Sequence, residues 1–357
     1  IGVRLVGSEM CIRDRYMKLK KFEGNPILSP SEKNDWESLV TCNPGVFYDN
    51  GMFYMLYRAA GNDREHVIRL GLATSRDGFY FERHSDRPAF SPSVDGPDSG
   101  CVEDPRIVKF DGEYYITYAY RPVPPGQYWK FGHDEVLLPE CGKYAPAAIA
   151  KNLGNTGLAV TTDFCHFRRL GRLTSPVLDD RDVILFPEKV NGQFVMLHRP
   201  KQYIGEKFGV EYPSIWIKFS DDLLDWEGKE SHLLLTGREN TWEEKIGGST
   251  PPLKTDKGWL MLYHGVEHGG KGYYRVGALL LDLDNPLKIL AKTHESILEP
   301  EEDFEINGYY NGCVFPTGNV IVDDTLFVYY GSADKYVCVA TCSVNELLSY
   351  LLTDCKV

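Results

Sequence analysis

Asn50-Gly51-Met52-Phe53-Tyr54-Met55-Leu56-Tyr57 is a tight turn followed by a run that alternates aromatic and aliphatic side chains. Asn-Gly accepts the positive φ of a two-residue hairpin turn, and period-two alternation marks a strand with one face buried. The phrase returns at 111–118, 191–198, 257–264 and 323–330, each copy ending in Tyr or His. Its turn positions fall at 51, 112, 192, 258 and 324, and a proline precedes each: Pro44, Pro105, Pro187, Pro251 and Pro316. Each copy therefore reads as strand, turn, strand. A third strand follows at 70–75, 157–161, 215–219, 276–280 and 337–341. In the first three copies it runs into an Asp-containing turn and an outer strand, as in 77–81 and 221–226. Four strands per copy, repeated five times, predict an all-β fold: a five-bladed β-propeller.

Outside the repeat, three segments stand apart. Residues 1–16 carry Arg4, Arg13 and Arg15 with no continuous apolar stretch, so they read as neither signal peptide nor strand. The expectation is a non-native or disordered leader, with one propeller domain over 17–357. The second copy is lengthened by a Pro- and Gly-rich insertion at 121–154, a length that usually marks a functional lid or a disordered loop. A short C-terminal helix is predicted over 345–352, because Ser343 and Glu346 have capping-box spacing and Leu347, Leu348, Leu351 and Leu352 share a face.

Composition narrows the function. With 39 Lys and Arg against 51 Asp and Glu, the net charge of −12 argues against nucleic acid as the main partner. No apolar run is long enough to span a bilayer. Nine cysteines without a Cys-x-x-Cys pair point to free thiols in a reducing, cytoplasmic compartment. No His-x-x-x-His helix supports zinc, and neither a nucleophile elbow nor a phosphate-cradling Gly-rich loop is present. The expected site thus has no metal and no cofactor, and a homo-oligomer is left open.

In propellers the first strand of each blade lines the central channel. Residues around the five prolines should therefore converge: Asn43, Glu103-Asp104-Pro105-Arg106, Arg181-Asp182, Lys245 and Asn311. A second ring should come from the ends of the following strands: Arg58, Arg199, His264 and Asp334. Singly, each has an ordinary explanation as a turn cap, a blade-to-blade ion pair or a satisfied core histidine. Together, Arg58, Arg181, Arg199, Lys245 and His264 form a cation cluster inside an acidic protein, facing the carboxylates Asp104 and Asp334. Arg forks and a Lys point charge suit phosphate or carboxylate. Strand alternation sends Glu103 away from Asp104, which reads as a structural role for the glutamate.

At these residues the sequence resembles glycoside hydrolase family 130, the β-mannoside phosphorylases and related mannosidases. The matching phrases are 43–48, 102–107, 182–189, 245–248 with 251–254, 258–266, and 314–318 with 329–334, within about 22–342. The resemblance implies a five-bladed propeller in which Asp104 is the catalytic acid. It implies that Arg181, Arg199, Lys245 and His264 hold inorganic phosphate as co-substrate, and that Asn43, Arg58, Asp104 and Asp334 contact the mannosyl unit. It further implies a proton passed from the Asp through the mannose 3-hydroxyl. A phosphorylase needs only the acid, because phosphate is already an anionic nucleophile, whereas an inverting hydrolase needs a second carboxylate as base.

The expected reaction is inverting phosphorolysis of a β-mannoside to α-mannose 1-phosphate, with a β-1,4-manno-oligosaccharide or a mannosyl-glucose or mannosyl-N-acetylglucosamine as substrate. The insertion overhangs the acceptor side in this reading and leaves the phosphate residues unaffected. Two alternatives stand beside it. One is the inverting β-mannosidase branch, disfavoured by the basic residues at 181, 199 and 245; the other is a non-catalytic sugar-binding propeller, for which an acid facing a cation cluster is superfluous.

Overall fold

In the computed structural model, residues 16–130, 136–267 and 271–357 are described. The leader expected at 1–16 lies outside them except for Tyr16. Five antiparallel sheets form a five-bladed β-propeller. Blade one is Val40–Asp49, Met52–Ala60, Arg69–Ser75 and Glu82–Arg83; blade two is Cys101–Phe110, Glu113–Arg121, Asn155–Thr161 and Arg168–Arg172. Blade three is Asp180–Leu185, Phe194–Pro200, Ile215–Ser220 and His232–Leu235. Blade four pairs Lys245–Gly248 and Leu253–Thr255 with Gly258–Val266, then Tyr274–Leu281 and Ile289–Lys292. Innermost strands pack on one another between blades one and two, three and four, and five and one, whereas Glu113–Arg121 of blade two packs on Asp180–Leu185 and Tyr274–Leu281 of blade four packs on Val314–Val322.

Blade five departs from four consecutive strands. It has Val314–Val322, Thr325–Ser332 and Tyr336–Ser343, and its outermost strand is Lys20–Lys21 from the other end of the chain, with Lys20 opposite Thr341 and Lys21 opposite Ala340. The sequence after Tyr336–Ser343 turns into a helix, so the N-terminal segment supplies the missing pairing and ties the ring shut. The closure covers part of the edge of Tyr336–Ser343, which would otherwise offer unpaired N–H and C=O groups. The C-terminal helix runs Val344–Asp354; the Ser343 hydroxyl accepts from the Glu346 N–H at 3.1 Å. Its Leu347, Leu348 and Leu351 are buried against a cluster that includes Ala291 and Ala340.

Four of the five repeated phrases carry a structural tyrosine at their end or one residue before it. Tyr57, Tyr118, Tyr263 and Tyr330 are buried, and each phenol donates to a buried carboxylate: Glu37 at 2.8 Å, Asp98 at 3.1 Å, Glu243, and Glu305 at 2.8 Å. A buried hydroxyl needs such a partner, since leaving it unmade costs about 1–3 kcal/mol. On the neighbouring strand Gly71, Gly157 and Gly277 lie opposite three of these rings, where a Cβ would stand 2.2 to 2.7 Å from ring carbon. The ring thus replaces the side chain its partner strand lacks. Among the described residues no helix is long and apolar enough to cross a membrane.

Candidate active site

The innermost strands of blades one, two and three slip register at the same place: between Cys42 and Gly45, between Glu103 and Arg106, and between Arg181 and Ile184. At each slip one residue takes a left-handed backbone: Asn43 (φ 44°), Asp104 (φ 53°) and Asp182 (φ 58°). Asn and Asp tolerate this region better than most non-glycine residues, and a bulge re-aims the side chain it carries. The three polar side chains are turned into the channel by the same device. Blade four reaches the equivalent place with Gly247 and Gly248, and a Cβ on Gly247 would lie 2.6 Å from the His264 ring and 2.7 Å from the Asp182 carboxylate.

The bulge also corrects the reading of Glu103. Alternation places it opposite Asp104, but alternation fails where an extra residue is inserted, and both side chains line the same cavity. Glu103 Oε2 lies 3.3 Å from Arg58 Nη1.

That cavity has a volume of about 560 Å³. Asn43, Arg58, Asp104, Arg181, Arg199, Lys245 and Asp334 all line it, so the structure brings together every site residue expected from sequence except one. His264 stands behind the wall. It is buried, its Nδ1 lies 3.2 Å from the Ser249 hydroxyl and its Nε2 lies 3.7 Å from Asp182. Burial, reinforced by Arg199, Arg106 and Lys245 and opposed by Asp182, brings its pKa down to about 3, so the ring is neutral near pH 7.

On one side of the cavity, Asn43 Nδ2 donates to Asp104 Oδ1 at 2.8 Å, and Arg58 Nη1 donates to the same oxygen at 3.4 Å. Asp104 Oδ2 makes no hydrogen bond among the described residues. Burial first, and then the Glu103 charge, raise the Asp104 carboxyl above the ordinary aspartate range, against the opposing pull of Arg58 and Arg106. A carboxyl raised in this direction suits a proton donor.

On the other side, Asp182 accepts from Arg199 Nε at 2.7 Å and lies 2.5 Å from Arg199 Nη2. Despite burial, the charges of Arg199 and Arg106 and the hydrogen bond from Arg199 hold its carboxyl far below the usual range. Arg199 Nη1 is buried and has no hydrogen-bond partner among the described residues. Arg181 is held by Asp179, which accepts from its Nε at 2.9 Å. Arg106 sits under both sides: Nη1 donates to the Asp104 carbonyl at 3.1 Å, Nη2 to Asp182 at 3.4 Å, and Nε to the Ser249 carbonyl at 2.8 Å. It fixes blades two, three and four relative to one another at the channel.

Sequence reasoning placed Asp182 and Arg106 in stretches that converge at the channel but gave neither a role, and it passed over Tyr128. Asp182 had a readable signal, since it occupies the repeat position of Asn43 and Asp104. Tyr128 had none, because it belongs to the insertion and to no repeat. The insertion enters the cavity through Pro125, Tyr128, Val136 and Lys151. Its base also abuts the cation side, contrary to the expectation that it leaves those residues untouched: a Cβ on Gly154 would lie 2.7 Å from Arg181 Cδ.

The profile of glycoside hydrolase family 130, described as β-1,4-mannooligosaccharide phosphorylase, matches residues 18–127 and 148–353. A 1,2-β-oligomannan phosphorylase of Thermoanaerobacter sp. (strain X514) is 37% identical over 93% of this chain and 99% of its own length. A β-1,2-mannobiose phosphorylase of the same organism is 35% identical over 90% and 96%. The solved β-1,2-mannobiose phosphorylase of Listeria innocua, in complex with β-1,2-mannobiose, superposes with a TM-score of 0.74 at 26% identity, covering 94% of this chain and 99% of that one. Blade count, bulged channel strands and a profile match that spans all five sheets agree: the chain belongs to glycoside hydrolase family 130.

Proposed function

We propose that this chain is an inverting phosphorylase that cleaves a β-mannoside with inorganic phosphate, giving α-mannose 1-phosphate and the shortened acceptor. The observation that carries the reading is the buried Arg199 Nη1, without a partner among the described residues, in a wall shared with Arg181 and Lys245 and facing the raised carboxyl of Asp104. An unsatisfied buried guanidinium N–H is costly unless a ligand completes it, and an oxyanion is the group that does.

In this reading phosphate rests on Arg181, Arg199 and Lys245, with Asp182 aiming Arg199 and neutral His264 supporting Asp182. Asn43, Arg58 and Asp334 hold the mannosyl unit. Protonated Asp104 delivers its proton toward the glycosidic oxygen, through the mannose 3-hydroxyl as the family resemblance implies. A phosphate oxygen forms the new bond to C1 from the opposite face as the bond to the leaving oxygen breaks. Positioning and charge compensation carry the step, and no base is required.

For the linkage, the phosphorylases that are 35% and 37% identical are named for β-1,2-mannosides, whereas the family profile is described by the β-1,4 activity. A β-1,2-linked oligomannan is therefore the proposed substrate, in place of the β-1,4 or mannosyl-glucose type favoured from sequence. The test is to incubate β-1,2- and β-1,4-mannotriose with and without phosphate. Mannose 1-phosphate and mannobiose should form only with phosphate, and faster from the β-1,2 trisaccharide. Equal mannose release without phosphate would overturn the reading.

A further inference from the structure

The family profile breaks off at residue 127 and resumes at 148, yet the first residue past the break reaches into the cavity. Tyr128 begins a single 3₁₀ turn, Tyr128–Lys130. Its hydroxyl donates to Asp334 Oδ2 at 2.7 Å and accepts from Arg58 Nη2 at 3.5 Å. Arg58 in turn contacts Glu103 at 3.3 Å and Asp104 at 3.4 Å. The phenol therefore closes an arc that runs from Asp334 through Arg58 to the acid.

Tyr128 is held as firmly as a core residue. Gly126 N–H donates to the Glu65 carbonyl at 3.0 Å and Gln127 Nε2 to the Asp63 carbonyl at 2.9 Å, which pins the start of the insertion to blade one. The buried His66 ring packs edge-on against both Tyr128 and Trp129, and Trp129 packs against Tyr309 of the segment that precedes blade five. Burial, then the Asp334 charge, keep the phenol protonated, so its hydrogen is committed to donation. Asp334 itself sits in a left-handed turn (φ 54°) beside Ala333 (φ 47°), and the Tyr128 hydroxyl donates to its carboxylate.

We propose that Tyr128 is a positioning residue of this chain: by bridging Asp334 and Arg58 it fixes the carboxylate that receives the mannosyl unit, so that sugar affinity depends on the blade-two insertion. The proposal rests on the phosphorylase reading for the identity of the sugar. Replacing Tyr128 by Phe keeps the ring and its packing and removes only the bridge. A hydrogen bond to a charged group corresponds to roughly a ten-fold or larger change in equilibrium. The Tyr128→Phe variant should therefore raise KM for β-1,2-mannotriose about ten-fold, with KM for phosphate unchanged and the melting temperature lowered by no more than a few degrees.

Tyr144, exposed elsewhere on the insertion, provides the control, and Tyr144→Ala should leave both constants at wild-type values. A double-mutant cycle with Asp334→Asn should be strongly non-additive, because the two side chains act on one contact. Calorimetry with the trisaccharide alone separates the two failures. Wild-type protein that binds no mannoside would overturn the functional reading and this proposal with it. Wild-type and Tyr128→Phe proteins that bind it equally would overturn this proposal alone, as would an additive cycle.

Discussion

Asp182→Asn is the most searching perturbation of the cation side. The native carboxylate is buried and compensates Arg199 through two contacts, 2.7 and 2.5 Å, and Arg106 through one at 3.4 Å. The amide is isosteric but neutral, so two buried guanidiniums lose their counter-charge. Removing one partner of a buried ion pair costs roughly 3–5 kcal/mol, whereas a surface pair costs about 0–1. Even the lower figure shifts the folded-to-unfolded ratio by about 100-fold.

Phosphate should offset part of that loss, since an anion on Arg199 supplies the missing charge. Urea unfolding with and without phosphate measures both quantities. The expected result is a variant destabilised by about 3 kcal/mol or more and stabilised by phosphate more than the wild type is. The Asp182 carboxyl is depressed in the folded state, so its contribution is present above the unfolded aspartate pKa of about 3.9 and is lost as pH falls below that value. The gap between the two proteins should accordingly narrow below about pH 4. A variant within about 1 kcal/mol of wild type, with equal response to phosphate, would refute the argument that Asp182 balances and aims Arg199.

Two further outcomes follow from the same geometry. Glu103→Gln removes a charge that raises the Asp104 carboxyl, and it frees Arg58 to favour the ionised form; the alkaline limb of the kcat/KM profile should move to lower pH, and an unmoved limb would mean that another group is the acid. Gly154→Ala places a methyl 2.7 Å from Arg181 Cδ, so KM for phosphate should rise several-fold with KM for the mannoside near normal, read from initial rates at varied phosphate.

The propeller was legible because its evidence is repeated five times: a hairpin turn, an alternating strand and a preceding proline are each local signals, and their recurrence gives the blade count. The closure of blade five was not, because Lys20–Lys21 is two residues with no strand pattern and pairs with a strand more than 300 residues away. Asn43, Arg58, Asp104, Arg181, Arg199, Lys245 and Asp334 could be placed at one channel end from repeat position alone. Glu103 and His264 could not be placed correctly. Glu103 depends on a bulge, which alternation does not register, and the neutrality of His264 depends on burial behind Asp182 by a chain distant in sequence. Tyr128 is the clearest limit, since an insertion has no repeat to compare with, and its contact with Asp334 exists only in three dimensions.

The central claim is that phosphate, held opposite Asp104, and not water, forms the new bond to C1. The most direct measurement is turnover of β-1,2-mannotriose with unlabelled phosphate in oxygen-18 water, with the sugar products analysed by mass spectrometry at early times. The account predicts unlabelled α-mannose 1-phosphate and no labelled mannose. Labelled free mannose, formed at the same rate whether or not phosphate is present, would contradict it.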